Sequence, residues 1–481
     1  MNNFAFASAV AATASQLAQR SGTDGPAVVV GVLLRNGPEI ITSMFAAWSL
    51  GYALNPINPA LTDDDVRFQL RDSATSVLIG DERAKAIANE EGIAFLSVAD
   101  SCFSRTPGPG HDADLASGVV SPSGSVNVSQ VVSATVPAQN DTAFVVYTSG
   151  TTGKPKGCVL TYGNVAAMVA SIHAGVGFDE RSRSLLVLPL FHCNGLLIGT
   201  LAPLASGGSV HIIPKFEASN FWNVVEAERP TYFSAVPTIY SILESTTRRH
   251  VDTRSLEFVV CGAAPMAPDA ITRFEEKFEV PVIEGYGLSE CTVCATLNPI
   301  DDRRPGTVGT ALPGLEVAAM DSDGVLLGPF EVGEVVVSGK TVMRGYLGLQ
   351  EATAEVLHDG WLHTGDVGYL DEDGYLVLVD RIKDLIIRGG ENIYPKEIED
   401  ALFGHPQVTE AAVVGRPDEK YGEVPVAHVA LREGAGVSVE ELQESLEAHL
   451  ARFKVPSEIY IVESLPKNSV GKIIKGDLRE K

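Results

Sequence analysis

The chain has 481 residues, of which 45% are hydrophobic and 20% are charged. This length exceeds what one hydrophobic core organises and predicts roughly two to four globular domains. The formal net charge of −25 argues against a surface that binds nucleic acid or an anionic membrane, because such a surface has to be basic. Any anionic ligand must therefore be met by a local cluster of lysines and arginines.

The six cysteines are sparse and scattered, as is usual in the reducing cytoplasm. Cys291 and Cys294 form a C-x-x-C pair without a second pair at zinc-site spacing, so we interpret both as ordinary buried thiols. No run of about eighteen apolar residues occurs, and the N-terminus lacks a basic n-region. We therefore expect a cytoplasmic protein with neither a membrane span nor a signal peptide.

Segments typical of strands and helices alternate in the first part of the chain. The alanine-rich N-terminus has helical apolar spacing, which predicts a helix that ends near Gly22. A β-branched run at 26–34 predicts a buried strand, 37–58 predicts a helix followed by a turn, and 74–82 predicts another strand. This alternation favours a parallel, doubly wound sheet.

The middle of the chain contains a long polar stretch and then returns to the same alternation. Residues 106–141 are rich in Gly, Pro, Ser and Asn, which predicts a long surface connection. A strand then leads into a polar loop, and three further strand–helix units follow at 183–195, 230–245 and 255–278. After Pro299, close-spaced turns and alternating hydrophobicity predict a small β-rich subdomain.

The last part of the chain is a tail of helices and strands, with a helix predicted at 438–453 and a strand at 457–465. We place a domain boundary close to Lys383, which gives an N-terminal domain at 1–382 and a C-terminal domain at 383–481. The predicted fold class is α/β. It comprises a large N-terminal domain of doubly wound α/β subdomains with a small β-rich subdomain, and a small α+β C-terminal domain.

The stretch YTSGTTGKPKG at 147–157 concentrates glycines, hydroxyls and lysines directly after a strand. This combination is typical of phosphate binding, because glycines let backbone N–H groups approach an anion and lysines supply positive charge. It is not a Walker A loop, since Thr148 occupies the first glycine position and Pro155 follows Lys154. From composition alone, a polar surface loop is the alternative.

The same stretch closely resembles the phosphate-loop motif of the adenylate-forming enzymes, which include acyl-CoA synthetases, adenylation domains of peptide synthetases and luciferases. Further similar motifs follow in the family's order: GYGLSE (285–290), HTGD (363–366), DRIKDLIIRGGENIYPKEIE (380–399) and PKNSVGK (466–472). The resemblance covers nearly the whole chain. It implies that a carboxylate attacks the α-phosphate of ATP to give acyl-AMP and pyrophosphate. A thiol, usually that of CoA, then takes the acyl group, and Mg²⁺ assists the first step.

The resemblance also implies roles for individual residues around the nucleotide. Thr151 and Thr152 would donate to the β- and γ-phosphates, and Glu290, together with Thr151, would bind Mg²⁺. Tyr286 would stack on adenine, and Ser289 would contact the α-phosphate. The full predicted nucleotide- and CoA-binding set is Thr148, Ser149, Gly150, Thr151, Thr152, Gly153, Lys154, Lys156, Gly262, Ala263, Ala264, Tyr286, Gly287, Ser289, Asp366, Arg381, Gly389 and Gly390.

Asp366 would accept hydrogen bonds from the ribose hydroxyls, since a carboxylate suits a vicinal diol, and Arg381 would assist it. Lys472 is the predicted catalytic residue, with Glu290 and Thr151 beside it. Its ammonium would bridge the carboxylate and the α-phosphate in the transition state. Without the resemblance, a lysine so close to the C-terminus would be interpreted as a solvated charge.

Two further motifs concern domain movement and the thiol. Lys383 matches the family's hinge position, about which a mobile C-terminal domain swings between the two half-reactions. Gly389 and Gly390 match the paired glycines that line the pantetheine tunnel of CoA ligases, where side chains would obstruct a narrow passage. The alternative for this pair is an ordinary turn.

The segment LPLFHCNGLL at 188–197 matches the part of the family that shapes the acyl pocket. Family members that activate amino acids usually carry an aspartate here, whereas this chain does not, so we predict a carboxylic acid without an α-ammonium group. The predicted pocket residues are His192, Asn194, Gly195, Gly262 and Gly285. A purely structural His192 remains an alternative.

These motifs predict an ATP-dependent acyl-CoA synthetase that uses ATP, Mg²⁺ and CoA. The alternatives are a stand-alone adenylating enzyme that loads the thiol of an acyl carrier protein, a luciferase-like oxygenase, and a non-catalytic adenylate-binding protein. The expected partners are the carboxylic acid and CoA, with no nucleic acid, in a monomer or a homodimer.

Overall fold

The computed structural model describes residues 1–21, 28–98, 137–148, 154–264, 266–432, 434–467 and 473–479. In chain order, its strands are β1 (Val29–Leu33), β2 (Ala53–Ile57), β3 (Thr75–Gly80), β4 (Ala94–Ser97), β5 (Thr142–Thr148), β6 (Lys156–Thr161), β7 (Arg183–Leu186), β8 (Ser209–Ile212), β9 (Tyr232–Ala235), β10 (Phe258–Cys261), β11 (Val282–Tyr286), β12 (Thr296–Leu297), β13 (Thr310–Ala311), β14 (Leu315–Met320), β15 (Gly333–Gly339), β16 (Gly345–Tyr346), β17 (Leu357–His358), β18 (Trp361–Leu370), β19 (Leu376–Arg381), β20 (Ile386–Arg388), β21 (Glu391–Ile393), β22 (Val408–Asp418), β23 (Gly422–Leu431) and β24 (Glu458–Val462).

Its α-helices are α1 (Asn3–Arg20), α2 (Pro38–Ser49), α3 (Asp63–Asp72), α4 (Glu82–Glu91), α5 (Tyr162–Val176), α6 (Cys193–Leu196), α7 (Ala202–Ala205), α8 (Ala218–Glu228), α9 (Pro237–Thr246), α10 (Pro268–Phe278), α11 (Gln350–Val356), α12 (Pro395–Phe403), α13 (Val439–Glu447) and α14 (Gly476–Arg479). A π-helical turn spans Leu197–Leu201, and 3₁₀ turns span Ser289–Cys291 and Ile382–Asp384. Among the described residues, no helix is both long enough and apolar enough to cross a lipid bilayer.

Two mainly parallel sheets form the body of the N-terminal part. The first has the strand order β16-β6-β5-β2-β1-β3-β4, and the second has the order β13-β12-β11-β10-β9-β7-β8. β1 runs parallel to β2 and β3, and β10 runs parallel to β9 and β11. Antiparallel strands close one edge of each sheet, where β6 pairs with β5 and β12 pairs with β11. The predicted doubly wound α/β architecture is confirmed.

The largest hydrophobic core lies between these two sheets. It contains buried residues from the first sheet, such as Leu54 and Phe144, and from the second, such as Leu186 and Val260. A second core covers the other face of the second sheet, where helices α8, α9 and α10 pack. Because successive residues of a strand point to opposite faces, Tyr232 enters the first core and Phe233 the second.

The helix predicted within 37–58 forms as α2, and a turn at Leu50 and Gly51 follows it as predicted. The central strand β2, which comes next, was not predicted. Pro56 is unusual in a central strand, since proline lacks a donor for the ladder. The structure accommodates it because β2 pairs with β5 only through Leu54 and Phe144. Most of the predicted connection at 106–141 lies outside the described residues.

The β-rich subdomain predicted after Pro299 is confirmed as the antiparallel sheet β14-β15-β18-β17, with β19 paired to β18. The C-terminal part forms a separate sheet, β21-β20-β23-β22, with β24 beside β23. Helices α12 and α13 contribute buried residues to the core of that sheet. The predicted helix at 438–453 begins where expected, at a capping box between Ser438 and Glu441, but it ends at Glu447.

Candidate active site

Asp366, Arg381 and Tyr286 meet at the junction of the second sheet and the β-rich subdomain. Asp366 on β18 lies opposite Arg381 on β19, and the Arg381 Nε is 2.8 Å from Asp366 Oδ1. The phenol of Tyr286, at the end of β11, donates a hydrogen bond of 2.7 Å to Asp366 Oδ2. Burial, and then the nearby Asp366 carboxylate, raise the pKa of Tyr286 well above its usual value. Tyr286 is therefore a neutral donor.

Glu334 on β15 binds the part of β18 that carries Asp366. Its carboxylate accepts a hydrogen bond from the Gly365 N–H at 3.0 Å and lies 2.8 Å from His363 Nδ1. The Thr364 hydroxyl donates to the Val335 carbonyl and accepts from the Asp366 N–H. Sequence reasoning missed Glu334, because its partners lie 29 and 31 residues further along the chain.

Glu290 lies in the 3₁₀ turn that follows β11. Its Oε1 accepts a hydrogen bond of 2.7 Å from the phenol of Tyr346, and the Met343 N–H donates to its carbonyl. Lys156 Nζ lies 4.9 Å from the centre of the Tyr346 ring. Burial, and then Glu290, raise the pKa of Tyr346, so the phenol stays protonated. Tyr346 was not singled out from the sequence, because it lies 56 residues from Glu290 and in no motif.

The polar loop begins at the end of β5 and returns at the start of β6. Thr148 pairs with Lys156 in this hairpin, and the Thr148 hydroxyl lies 3.4 Å from the Lys156 carbonyl. The Cys158 thiol lies 3.3 Å from the Ser289 carbonyl, so β6 passes directly beside the turn that carries Glu290. Lys154 is described, whereas five predicted loop residues lie outside the described residues: Ser149, Gly150, Thr151, Thr152 and Gly153.

The predicted pocket glycines approach one another at the carboxyl ends of the second sheet's strands. A Cβ on Gly262 would lie 3.6 Å from the Gly285 carbonyl oxygen and 4.0 Å from Asn194 Nδ2. Gly195 permits a close approach, since a Cβ there would lie 2.4 Å from the Pro189 carbonyl oxygen. At Gly287 a Cβ would lie 2.2 Å from the Val293 carbonyl oxygen. These glycines therefore let backbone segments pack closely around this edge.

Two polar atoms next to these glycines have no hydrogen-bond partner in the described structure. They are His192 Nε2 and Asn194 Oδ1, and both are buried. Burial lowers the pKa of His192 to about 4, so its imidazole is neutral at pH 7. Ala263, in the turn after β10, adopts a left-handed conformation with φ of 68°, which is uncommon for a residue with a Cβ. Ala264 follows it, half-buried in the same turn.

Lys383 lies in the 3₁₀ turn between β19 and β20. Arg479, from the last helix, donates to the Lys383 carbonyl at 3.3 Å and pairs with Asp384 at 2.8 Å. Just before this turn, Asp380 Oδ2 accepts a hydrogen bond of 2.8 Å from the Lys396 N–H in the first turn of α12. Backbone and side chains of the C-terminal part therefore hold both sides of the turn.

Gly389 and Gly390 form the turn between β20 and β21, with φ of 61° and 90°. We call the surface around them the glycine-turn patch, which comprises Ile387, Arg388, Gly389, Gly390, Tyr421 and Phe453. Its apolar side chains are exposed: 51% for Ile387 and 38% each for Tyr421 and Phe453. The Arg388 guanidinium lies 4.9 Å from the Tyr421 ring centre and donates to the Phe453 carbonyl.

Lys472 lies outside the described residues, but both neighbouring segments are described. Lys467 pairs with Glu410, and Lys467 and Ile473 form an antiparallel bridge. Lys475 Nζ lies 2.8 Å from Glu399 Oε1 on α12, and Glu399 also accepts the Val413 N–H at 2.7 Å. Burial raises the pKa of Glu399, and Lys475 opposes that shift.

Residues 5–347 match the family model of AMP-binding enzymes, and residues 397–472 match that of the AMP-binding enzyme C-terminal domain. The chain belongs to the AMP-binding enzyme family. The resemblance to adenylate-forming enzymes is thereby confirmed. So is the expectation of an ATP-dependent ligase that forms acyl-AMP and transfers the acyl group to CoA.

Similar proteins cover nearly the whole chain. An oxalate–CoA ligase of Arabidopsis thaliana is 36% identical over 96% of this chain and 89% of its own length. The structure of ATP-bound MatB from Rhodopseudomonas palustris has a TM-score of 0.87 at 29% identity, over 99% of this chain and 92% of that one. O-succinylbenzoate coenzyme A synthetase (MenE) from Bacillus subtilis, in complex with ATP and magnesium, has a TM-score of 0.82 at 30% identity, over 99% and 93%.

The described side chains fit Mg·ATP. Asp366 offers carboxylate oxygens and Tyr286 an aromatic face, which suit a ribose and a base. Among the described residues, no group of three or more His, Cys, Asp or Glu side chains could hold a metal ion. Glu290 offers one carboxylate, and Mg²⁺ is commonly bound through one or two carboxylates, substrate phosphates and waters. Cys291 and Cys294 are buried free thiols.

Proposed function

We propose that the residues around Asp366 and Glu290 form the adenylation site of this ligase. The observation that carries this proposal is the convergence of distant segments on two adjoining contacts. Asp366 binds both Tyr286 and Arg381, and four residues after Tyr286 the Glu290 carboxylate binds Tyr346 beside Lys156. In this assignment Asp366 and Arg381 hold the ribose, Tyr286 packs against adenine, and Glu290 holds Mg²⁺.

The first step joins a carboxylate oxygen to the α-phosphorus and breaks the bond to pyrophosphate. Because an anion approaches a polyanion, positioning and positive charge supply the rate enhancement. Lys154 and Lys156 follow the loop assigned to the β- and γ-phosphates, and Lys472 is assigned to the reacting carboxylate and α-phosphate. Mg²⁺, when bound, neutralises phosphate charge. The acid lacks an α-ammonium group, since residues 188–197 offer no carboxylate to pair with one.

In the second step the thiol sulfur attacks the acyl carbonyl carbon, AMP leaves, and the thiol loses its proton. We assign the glycine-turn patch to the thiol substrate. Gly389 and Gly390 leave room for a pantetheine chain, while Tyr421, Phe453 and Arg388 offer exposed rings and a cation to a nucleotide. This patch favours CoA over a carrier protein as the usual acyl acceptor.

The domain boundary near Lys383 is part of the same proposal. Lys472 and the glycine-turn patch serve different half-reactions, yet both belong to the part of the chain after residue 383. Rotation about the turn Ile382–Asp384 would bring each to the nucleotide in succession. Monomeric or dimeric assembly remains a prediction, as does the cytoplasm as the location.

Pyrophosphate release over a panel of carboxylic acids, with and without CoA, tests the proposal. We expect acid-dependent release, and we expect Lys472→Ala to lower its rate by about 10²–10³-fold, as loss of a transition-state contact typically does. Lys340→Ala, which removes an exposed lysine, should leave the rate unchanged. An unchanged rate in Lys472→Ala would refute the catalytic assignment.

A carrier-protein thiol is the second candidate acceptor. An assay with CoA and with a phosphopantetheinylated carrier protein separates the two. If CoA is preferred, Arg388→Ala should raise the KM for CoA and leave the adenylation rate unchanged. If Arg388→Ala lowered the adenylation rate and the CoA-dependent step equally, Arg388 would not belong to the thiol site.

A further inference from the structure

Within the described residues, three buried polar atoms without a hydrogen-bond partner lie on one side of the second sheet, at the end where its parallel strands finish. Two are His192 Nε2 and Asn194 Oδ1, at the start of α6. The third is the hydroxyl of Ser234, the next-to-last residue of β9. Ser234 is only 5% exposed. A buried polar atom without a partner costs about 1–3 kcal/mol, so such atoms usually meet a ligand or an ordered water.

The neighbouring contacts place Ser234 and Asn194 on the same side of the second sheet. Ser234 points to the same face of β9 as Tyr232, two residues earlier. The Tyr232 phenol donates a hydrogen bond of 2.6 Å to the Ile198 carbonyl in the π-helical turn, which follows directly after α6. The Gly262 N–H, in turn, approaches the carbonyl of Ala235 at 3.3 Å, and Asn194 lies beside Gly262.

The π-helical turn is a further sign of a functional site. Such turns are rare and frequently occur at functional sites. Here Leu197–Leu201 continues α6, and the Thr200 hydroxyl donates to the Gly195 carbonyl at 2.8 Å. This bond occupies one of the carbonyls near Asn194, and the Asn194 oxygen itself remains unpartnered.

We propose that the acid activated by this enzyme carries a hydroxyl group away from its reacting carboxyl, and that Asn194 and Ser234 bind that hydroxyl. This inference rests on the proposed function and adds the substrate class, a hydroxy acid. A hydroxyl both donates and accepts, so it satisfies the Asn194 amide in either orientation and the Ser234 hydroxyl as well.

The uncharged character of the three groups argues against a charged end on the substrate. With a pKa of about 4, His192 is neutral at pH 7, and asparagine and serine carry no charge. A second carboxylate bound against these atoms would lose its hydration without gaining a counter-charge, which is costly. A plain alkyl chain would leave all three atoms unpaired, and a site built to bind a hydroxyl rejects such analogues strongly.

Pairs of acids that differ only by –OH against –CH₃ test the inference: 3-hydroxypropanoate with butanoate, 5-hydroxypentanoate with hexanoate, and 4-hydroxybenzoate with 4-methylbenzoate. The readout is kcat/KM for CoA-dependent AMP formation. In the pair whose length fits, we expect the hydroxyl member to be preferred at least about tenfold, the effect of one or two hydrogen bonds. Ser234→Ala and Asn194→Leu should each reduce that preference to less than about threefold.

Ser255→Ala is the matched control. It also removes an unpartnered buried hydroxyl, but Ser255 precedes β10 and so lies at the opposite end of the strand from Gly262. The Ser255→Ala variant should prefer the hydroxyl member over the methyl member as strongly as the wild type does. ATP binding and thermal unfolding of each variant verify that it is folded. A methyl member used as well as or better than its hydroxyl partner in every accepted pair would overturn the hydroxy-acid inference and leave the ligase assignment intact. Absence of AMP formation with every acid would overturn both.

Discussion

At the scale of single residues, Tyr346 contacts both Glu290, the assigned metal ligand, and Lys156, at the end of the polar loop. The phenol holds one carboxylate oxygen at 2.7 Å while its ring faces Lys156. One oxygen of Glu290 is thereby fixed in direction. A ligand held in this way loses less conformational entropy on binding a cation.

Tyr346→Phe should lower the rate of pyrophosphate release by about tenfold and raise the Mg²⁺ concentration needed for half the maximal rate. The reason is that a hydrogen bond to a charged group contributes about 1.5–3 kcal/mol. The measurement is a Mg²⁺ titration of the adenylation step. Tyr369→Phe, on β18 beside Phe330, is the control. An unchanged Mg²⁺ dependence would separate Tyr346 from the metal site.

Glu284, two residues before Tyr286, is a buried carboxyl whose pKa burial raises to about 7. Among the described residues, one of its oxygens accepts the Met266 N–H at 3.2 Å, and the other has no close hydrogen-bond partner. Lys396 opposes the shift, and Asp400 adds to it. Because the folded state resists ionisation of this group, its contribution to stability is fully present below about pH 4.5 and is lost as the pH rises through 7.

Glu284→Gln should therefore stabilise the protein relative to wild type at pH 8 and not at pH 5. From the size of the pKa shift, the gain in free energy of unfolding is at most about 3 kcal/mol. Chemical denaturation at both pH values measures it. Glu316→Gln, at an exposed position, should show no pH-dependent difference. Equal effects of Glu284→Gln at both pH values would contradict the assignment of a raised pKa.

At the scale of elements, the last described segment, 473–479, is fastened to the C-terminal sheet and to the turn at Lys383. Lys475 pairs with Glu399 on α12, and Arg479 pairs with Asp384. The segment borders the loop that contains Lys472. These ion pairs therefore anchor the part of the chain that directly follows Lys472 in the sequence.

Lys475→Met should destabilise the C-terminal part by about 2–3 kcal/mol, because it leaves Glu399 buried without its counter-charge. The expected loss of stability is smaller than for a fully buried ion pair, since the Lys475 side chain is 21% exposed. Limited proteolysis and urea unfolding measure the loss. The double variant with Glu399→Gln should recover part of it. A double variant less stable than the single would show that the pair itself is not responsible.

Element patterns in the sequence predicted the alternating strands and helices well, because hydrophobic periodicity reflects burial directly. They failed at β2, where Pro56 obscured a central strand, and at the end of α13. Sequence patterns could not predict the contacts of Glu334 and Tyr346, since these contacts join residues 29 to 56 positions apart. Ser234 gave no signal either. A serine within a strand becomes a candidate binding residue only when the structure shows that its hydroxyl is buried without a hydrogen-bond partner.

At the scale of the whole molecule, the assigned groups fall on both sides of Lys383. Asp366, Tyr286 and Glu290 precede it, whereas Lys472 and the glycine-turn patch follow it. If Lys383 is the proposed hinge, we expect both half-reactions to depend on how freely the turn Ile382–Asp384 can change conformation.

Lys383→Pro should fix the backbone at this turn, because proline restricts φ to about −65°. We expect one half-reaction to fall more than about tenfold and the other to change less than about threefold. Pyrophosphate exchange measures adenylation, and CoA acylation from supplied acyl-AMP measures the second step. Lys383→Ala should retain both. Equal loss of both steps in Lys383→Pro, with a normal melting temperature, would refute a hinge at this position.

The hydrogen bond from Lys396 to Asp380 has a consequence for protein engineering. Asp380 precedes the boundary, yet it supplies the acceptor at the beginning of α12. A hybrid enzyme joined at the boundary would inherit that helix from one parent and its acceptor from the other. Recombination between members of this family should therefore retain a carboxylate at position 380, because the main-chain N–H at position 396 is supplied by any residue other than proline.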